Sequence, residues 1–174
     1  TTGANNTAVG KDALKANTTG TRNTAVGALA LDTSTTGTQN TAVGYGAMDA
    51  NTTGSNNVAI GDAALASNTT ASNNTAVGDD ALKFNTTGTQ NVAVGALSLD
   101  ANTTGSYNAA LGEKSLSTNI LGSKSTAIGT FALFNQNPAS AVDMFNTAVG
   151  YDAGNAVTTG VQNTLIGGLA GDAV

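Results

Sequence analysis

The chain has no cysteine, no histidine and no tryptophan. Proline occurs once, only 4% of residues are aromatic, and only 10% are charged. Each shortage excludes chemistry. Without Cys there is no disulfide framework and no thiolate nucleophile. Without His there is no Ser-His-Asp triad, no zinc site of the usual ligand set, and no side chain that titrates near neutral pH. Six Lys and Arg against eleven Asp and Glu give a net charge of −5. That leaves no basic stripe for nucleic acid and no polybasic patch for an anionic membrane. No apolar run approaches the roughly 18 residues needed to cross a bilayer. A signal peptide is not visible, and since the chain opens inside a repeat this carries no weight.

Thr, Asn, Ala and 22 Gly fill the space instead, and 40% of residues are hydrophobic. Low charge with that apolar content argues against plain disorder. The residues are ordered by repetition. A motif of the type Asn-Thr-Ala-Val-Gly ends at Gly10, Gly27, Gly44, Gly61, Gly78, Gly95, Gly112, Gly129, Gly150 and Gly167. The spacing is 17 residues seven times, then 21, then 17. The consensus is N-T-A-V-G-x-x-A-L-x-x-N-T-T-G-x-x. Residues 1–174 therefore read as one repeat domain. Its coils start near 6, 23, 40, 57, 74, 91, 108, 125, 146 and 163, with a four-residue insertion within 134–145.

Seventeen residues is too short for a helix pair and below the leucine-rich range. It suits an all-β, parallel β-roll or β-solenoid of ten coils, each stacked on the next. N-T-A-V-G is expected to be one strand and the stretch around A-L a second. N-T-T-G is expected to be a turn whose Gly takes positive φ. A helical reading of "DALKAN" is the alternative, but six residues between Gly and Asn make a marginal helix. The expected core is Ala8, Val9, Gly10 and Leu14 in the first coil. Ala25, Val26, Gly27 and Leu31 follow in the second, and Ala42, Val43, Gly44 and Met48 in the third. Asn6, Asn23, Asn40, Asn57, Asn74, Asn91 and Asn108 recur at the first position. They are expected either to stack as a side-chain amide ladder or merely to begin a turn. Each coil offers little apolar surface against the entropy of ordering 17 residues, which argues for burial against further copies. The near-constant Ala at the third position, replaced only by Leu165, is expected to serve that close approach.

"NTAVGKDALKANTTG" and its copies resemble two related repeat families. One is the head repeat of YadA-like trimeric autotransporter adhesins, to which "NNVAIGDAAL" at 56–65 and "STAIGTFAL" at 125–133 come nearest. The other is the N-T-A-V-G…N-T-T-G array of tail-fibre-like proteins of phages and bacteria, the closer match. The resemblance covers about residues 5–172. It implies a left-handed parallel β-roll, three chains side by side, in a fibre or adhesin on a bacterial cell surface or virion. The period is longer than is usual for YadA-like heads, and no ligand-binding residue carries over.

The stretch between Gly129 and Gly150 that carries the insertion holds the single Pro and three of the four Phe, Phe131, Phe134 and Phe145. Phe134, Asn135, Gln136, Asn137, Pro138, Met144 and Phe145 form a candidate receptor-contact loop, since a break in a strict repeat often carries function. The other reading is that its Phe and Met pack onto the roll. The ninth-position Leu becomes Gly154 and Gly171 in the last two coils, where the core is expected to thin. Asp residues, about one per coil, are too few for a calcium site and read as solvated surface. Asn17, Asn51, Asn68, Asn85 and Asn102 open Asn-Thr-Thr triplets, formally glycosylation acceptors but here turn chemistry.

The expected function is structural and adhesive, a homotrimeric segment of a surface or tail fibre that spaces and can contact host-cell receptors, glycan or protein. No enzymatic activity, cofactor, metal, nucleic acid or membrane insertion is expected. The rivals are a self-assembling extracellular filament and a monomeric ice- or carbohydrate-binding solenoid that uses the paired Thr rows, of which one should face outward.

Overall fold

A computed structural model describes residues 2–172. It is a β-solenoid without helix among those residues. Ten three-residue strands stack as one parallel sheet: β1 (Thr7–Val9), β2 (Thr24–Val26), β3 (Thr41–Val43), β4 (Val58–Ile60), β5 (Thr75–Val77), β6 (Val92–Val94), β7 (Ala109–Leu111), β9 (Thr126–Ile128), β11 (Thr147–Val149) and β12 (Thr164–Ile166). Each strand pairs with the same positions one coil on, as in Ala8↔Ala25 and Ala25↔Ala42. Two shorter strands, β8 (Gly122–Ser123) and β10 (Val142–Asp143), pair beside the insertion.

Hydrogen bonding between coils runs around the whole perimeter. The N–H of Gly27 donates back to Val9 O at 2.8 Å, while those of Leu14 and Thr18 donate forward to Ala30 O and Thr35 O, both at 3.0 Å. In the inner coils the strand, the tight turn and the Thr stretch each find backbone partners in an adjacent coil.

The second expected strand does not form. The stretch around A-L turns tightly, because the seventh and ninth positions both have left-handed backbone, as in Asp80 (φ 55°) and Leu82 (φ 51°). A Leu in that region is strained. Full burial of Leu31, Met48, Leu65 and their successors offsets the cost. The expected role of the N-T-T-G glycine is also corrected. Gly20, Gly37 and Gly88 have no positive φ; a Cβ on Gly88 would stand 2.2 Å from Gly105 O and 2.5 Å from Asn85 Oδ1. Close approach of the next coil favours Gly there, and Ala71 is the one exception in the first seven coils. Positive φ belongs to the glycine closing each strand, at 127–140° from Gly10 to Gly167.

The inside of the coil is half apolar and half polar. Ala of the third and eighth positions and Leu of the ninth form the apolar half. Asn of the first and twelfth positions form the other, and Asn23, Asn40, Asn51 and Asn68 are fully buried. Because the Leu row fills the centre, only Ala fits opposite it. From the second coil to the ninth the third-position Ala, including Ala25 and Ala42, is therefore buried within a single chain and does not face a partner.

Three of the expected core valines are corrected with it. Val9 and Val26 are exposed and Val43 is half-buried, because in a three-residue strand with Ala pointing inward the flanking residues must point outward. Leu14, Leu31 and Met48 are core as expected. Ala8 and Gly10 are exposed in the first coil, and Gly27 and Gly44 are half-buried.

The core does not simply thin where Leu becomes Gly. Leu165 replaces the third-position Ala in the last coil, and its Cδ atoms would lie 2.8 Å from a Cβ built on Gly154 or Gly171. The bulk has moved from one wall to the other. Val157 takes the twelfth position of the preceding coil and is also buried.

Candidate functional site

Two Asn rows hold the stack. At the first position the Oδ1 of Asn23 accepts the N–H of Asn40 at 2.9 Å, while its Nδ2 donates to Gly37 O at 2.8 Å. The same pair of bonds repeats for Asn40, Asn74 and Asn91. This row is stitched mainly side chain to backbone; Asn57 adds an amide bond to Asn40 at 3.3 Å. Asn6 begins it and Asn108 bonds onward to Ser125. The side-chain amide ladder sits instead at the twelfth position, where Asn68, Asn85 and Asn102 each donate to the preceding Asn Oδ1 at 2.8–3.0 Å. These are three of the five Asn that open Asn-Thr-Thr triplets; Asn17, in the first coil, is half-buried. The three and Asn51 are wholly buried, so the folded coil offers none of these four for glycosylation.

The insertion turns out to be built into the stack. Ser125 stands where Asn is usual at the first position and Gln136 where Asn is usual at the twelfth. The shorter side chain is met by the longer: Gln136 Oε1 accepts Ser125 Oγ at 3.1 Å and Asn146 Nδ2 at 2.8 Å, and Nε2 donates to Asn119 Oδ1 at 3.2 Å. Gln136, Pro138 and Met144 are buried, which removes them from any receptor contact. Met144 packs against Gly122, where an added Cβ would meet its Cγ at 3.0 Å. Phe134 is half-buried, with its ring edge-on to Phe131 at 5.7 Å. Asn135, Asn137 and Phe145 are exposed.

The outer surface carries three regular rows. The fourth-position row is aliphatic in all ten coils and lies on the solvent face of the sheet, with Ile60 40% and Leu111 49% exposed. At about 4.8 Å per coil it runs for about 43 Å. A contiguous apolar strip of that length is unusual on a monomer's surface. The Thr pairs divide as their adjacency requires. The thirteenth-position hydroxyls bond the next coil, as Thr52 Oγ1 does to Thr69 O at 2.9 Å. The fourteenth (Thr36, Thr53, Thr70, Thr87) face outward. That array is interrupted at Ile120 and Leu121 and through the insertion, and returns at Thr158 and Thr159.

No family model, curated protein or solved structure matches this chain. The reading of function therefore rests on these surfaces. Among the described residues no cluster of acidic side chains is placed to hold a metal, and no helix is long and apolar enough to cross a membrane.

The tenth-position carboxylates are the titratable feature. Partial burial raises Asp49 above the ordinary carboxylate range, and Asp32 one coil away raises it further. Burial likewise raises Asp100, against the opposing hydrogen bond from Ser117 Oγ at 2.5 Å. A folded pKa above the unfolded one means that ionisation disfavours the fold. The contribution is fully present below the unfolded value and is lost as pH rises through the folded one. Asp49→Asn should therefore raise the thermal midpoint at neutral pH. The gain should shrink as pH falls through the raised folded value and be gone by about 3.9, and a gain that persists below it would contradict this account.

Proposed function

We propose that the chain is a structural segment of an extracellular fibre, in which three copies lie side by side with their fourth-position rows turned towards a common axis. One observation carries this reading: the unbroken aliphatic row on the outer face of the sheet. A partner covering it must be straight and must repeat at the coil spacing over the whole length. A second copy of the chain meets both conditions, and a closed ring of three leaves no row uncovered. The resemblance to trimeric adhesin and tail-fibre repeats supports the same number. The function is then to space a tip from its base on a cell surface or virion and to present the polar outer rows to host receptors. No catalytic role is proposed.

Light scattering tests it. The parent chain should have three times the mass of a 16.9 kDa protomer. The double variant Ile60→Asp, Leu111→Asp should fall to one protomer mass with its fold intact, because both side chains are exposed in the single chain. A monomeric parent would overturn the proposal and bring forward ice or sugar binding by the outward Thr row. Long polymers would point to end-to-end stacking of open coil ends.

A further inference from the structure

The seventeenth position is exposed and left-handed in coil after coil, as in Asn56 (φ 59°), Asn73 (φ 64°) and Gln90 (φ 58°). Asn is the side-chain-bearing residue best suited to that backbone. Elsewhere the position holds Asn, Gln or Arg, as in Asn5, Arg22, Gln39 and Gln162. Only in three successive coils is the polar chain replaced by rings on either side of a Lys. They place Tyr107 (φ 62°), Lys124 (φ 61°) and Phe145 (φ 52°) there. The two rings are 55% and 50% exposed. A bulky ring in left-handed backbone is strained, and here no burial offsets the strain. Such a residue points to use at the surface. The three side chains stand in one line at coil spacing. Lys124 Nζ lies 5.2 Å from the Phe145 ring centroid and 2.7 Å from Asp143 Oδ2, supplied by the insertion.

We propose that Tyr107, Lys124, Asp143 and Phe145 form a binding site for a neutral oligosaccharide chain. This deepens the receptor-contact part of the fibre reading and rests on it. The rings are two coil rises apart, about 9.6 Å, the length of two glycosidically joined sugar rings. The C–H face of a pyranose carries partial positive charge and packs on the electron-rich face of an aromatic ring. Between the rings, the ammonium donates to and the carboxylate accepts from ring hydroxyls. Because the two charges neutralise each other, the site favours an uncharged chain over an anionic one. The insertion supplies Asp143 and Phe145, which gives it a function although Gln136, Pro138 and Met144 are buried.

The test titrates the full chain with cellohexaose, chitohexaose, maltohexaose and mannohexaose, followed by saturation-transfer NMR and calorimetry. At least one should bind. Tyr107→Ala and Phe145→Ala should each weaken it about fivefold, with assembly mass and thermal midpoint unchanged. Tyr45→Ala, which removes a ring equally exposed at another position, should leave binding unaltered. Absence of binding by all four sugars at millimolar concentration would overturn the site, as would an equal loss in Tyr45→Ala. A lower assembly mass in Tyr107→Ala or Phe145→Ala would also overturn it, since the rings would then belong to the lateral contact. The mass of the same samples separates the two proposals. A monomer that binds sugar sinks the trimer alone, and a trimer that binds none sinks the site alone.

Discussion

Gly44→Ala should cost about 3 kcal/mol or more of stability, while Gly46→Ala, two residues along, should change it by less than about 1 kcal/mol. At Gly44 φ is 139°, a backbone region that is essentially glycine-only, and an added Cβ would sit 2.2 Å from Gly61 O. Both partners of that clash are backbone held by the bonds of adjacent coils, so neither can withdraw cheaply. At Gly46 φ is 61° and nothing lies within 4 Å of a built Cβ. Ala63 already occupies the same position one coil on, at φ 47°. A solenoid coil touches only its neighbours, so a failed junction between the third and fourth coils should also divide the stack. Urea unfolding of Gly44→Ala should then show a reduced slope as well as a lower midpoint. Equal losses in the two variants would refute the assignment of the clash.

The 17-residue period revealed the parallel stack, the coil boundaries and the inward Leu, because identical coils must place identical residues at identical depth. It did not reveal which way the strand faces. With only three residues in Thr24–Val26, there is no alternation long enough to read, and hydrophobicity alone puts Val26 inside. The narrow space left by the Leu row reverses this and buries Ala25. The two glycines of each repeat looked alike for a related reason. Composition shows that Gly is needed but not whether φ or a neighbour's approach demands it. A usable hint of the left-handed ninth position was present: Gly154 and Gly171 replace Leu there, and they have φ 66° and 72°. The twelfth-position amide ladder was hidden because Asn-Thr-Thr-Gly is also an ordinary turn sequence. In the insertion, Gln136 looked like loop polarity, and only its pairing with Ser125 shows it to be a lengthened Asn.

Asn74→Ala should lose about 2–4 kcal/mol, a large effect for one polar side chain in a protein this rich in Asn. Its Oδ1 is the acceptor for the buried N–H of Asn91 at 2.9 Å, and its Nδ2 donates to Gly88 O at 2.9 Å. Gly88 O keeps a second donor in Asn85 Nδ2 at 3.0 Å. Asn91 N–H loses its bond to Asn74 and, in a dry interior, gains no water in exchange. Thr70→Ala, on the exposed face, should stay within about 0.5 kcal/mol. Asn74→Asp separates the two halves of the amide's work. The carboxylate still accepts from Asn91 N–H, but it cannot donate to Gly88 O, and it carries an unpaired charge into the core. Its pKa should rise above the unfolded value, so the variant should be least stable at neutral pH and should recover as pH falls through that raised value, fully by about 3.9, as the protonated acid restores a donor. Recovery in Asp but not in Ala, read from unfolding midpoints across that pH range, would show that the amide's two bonds hold the coils together and that filling its volume is not enough.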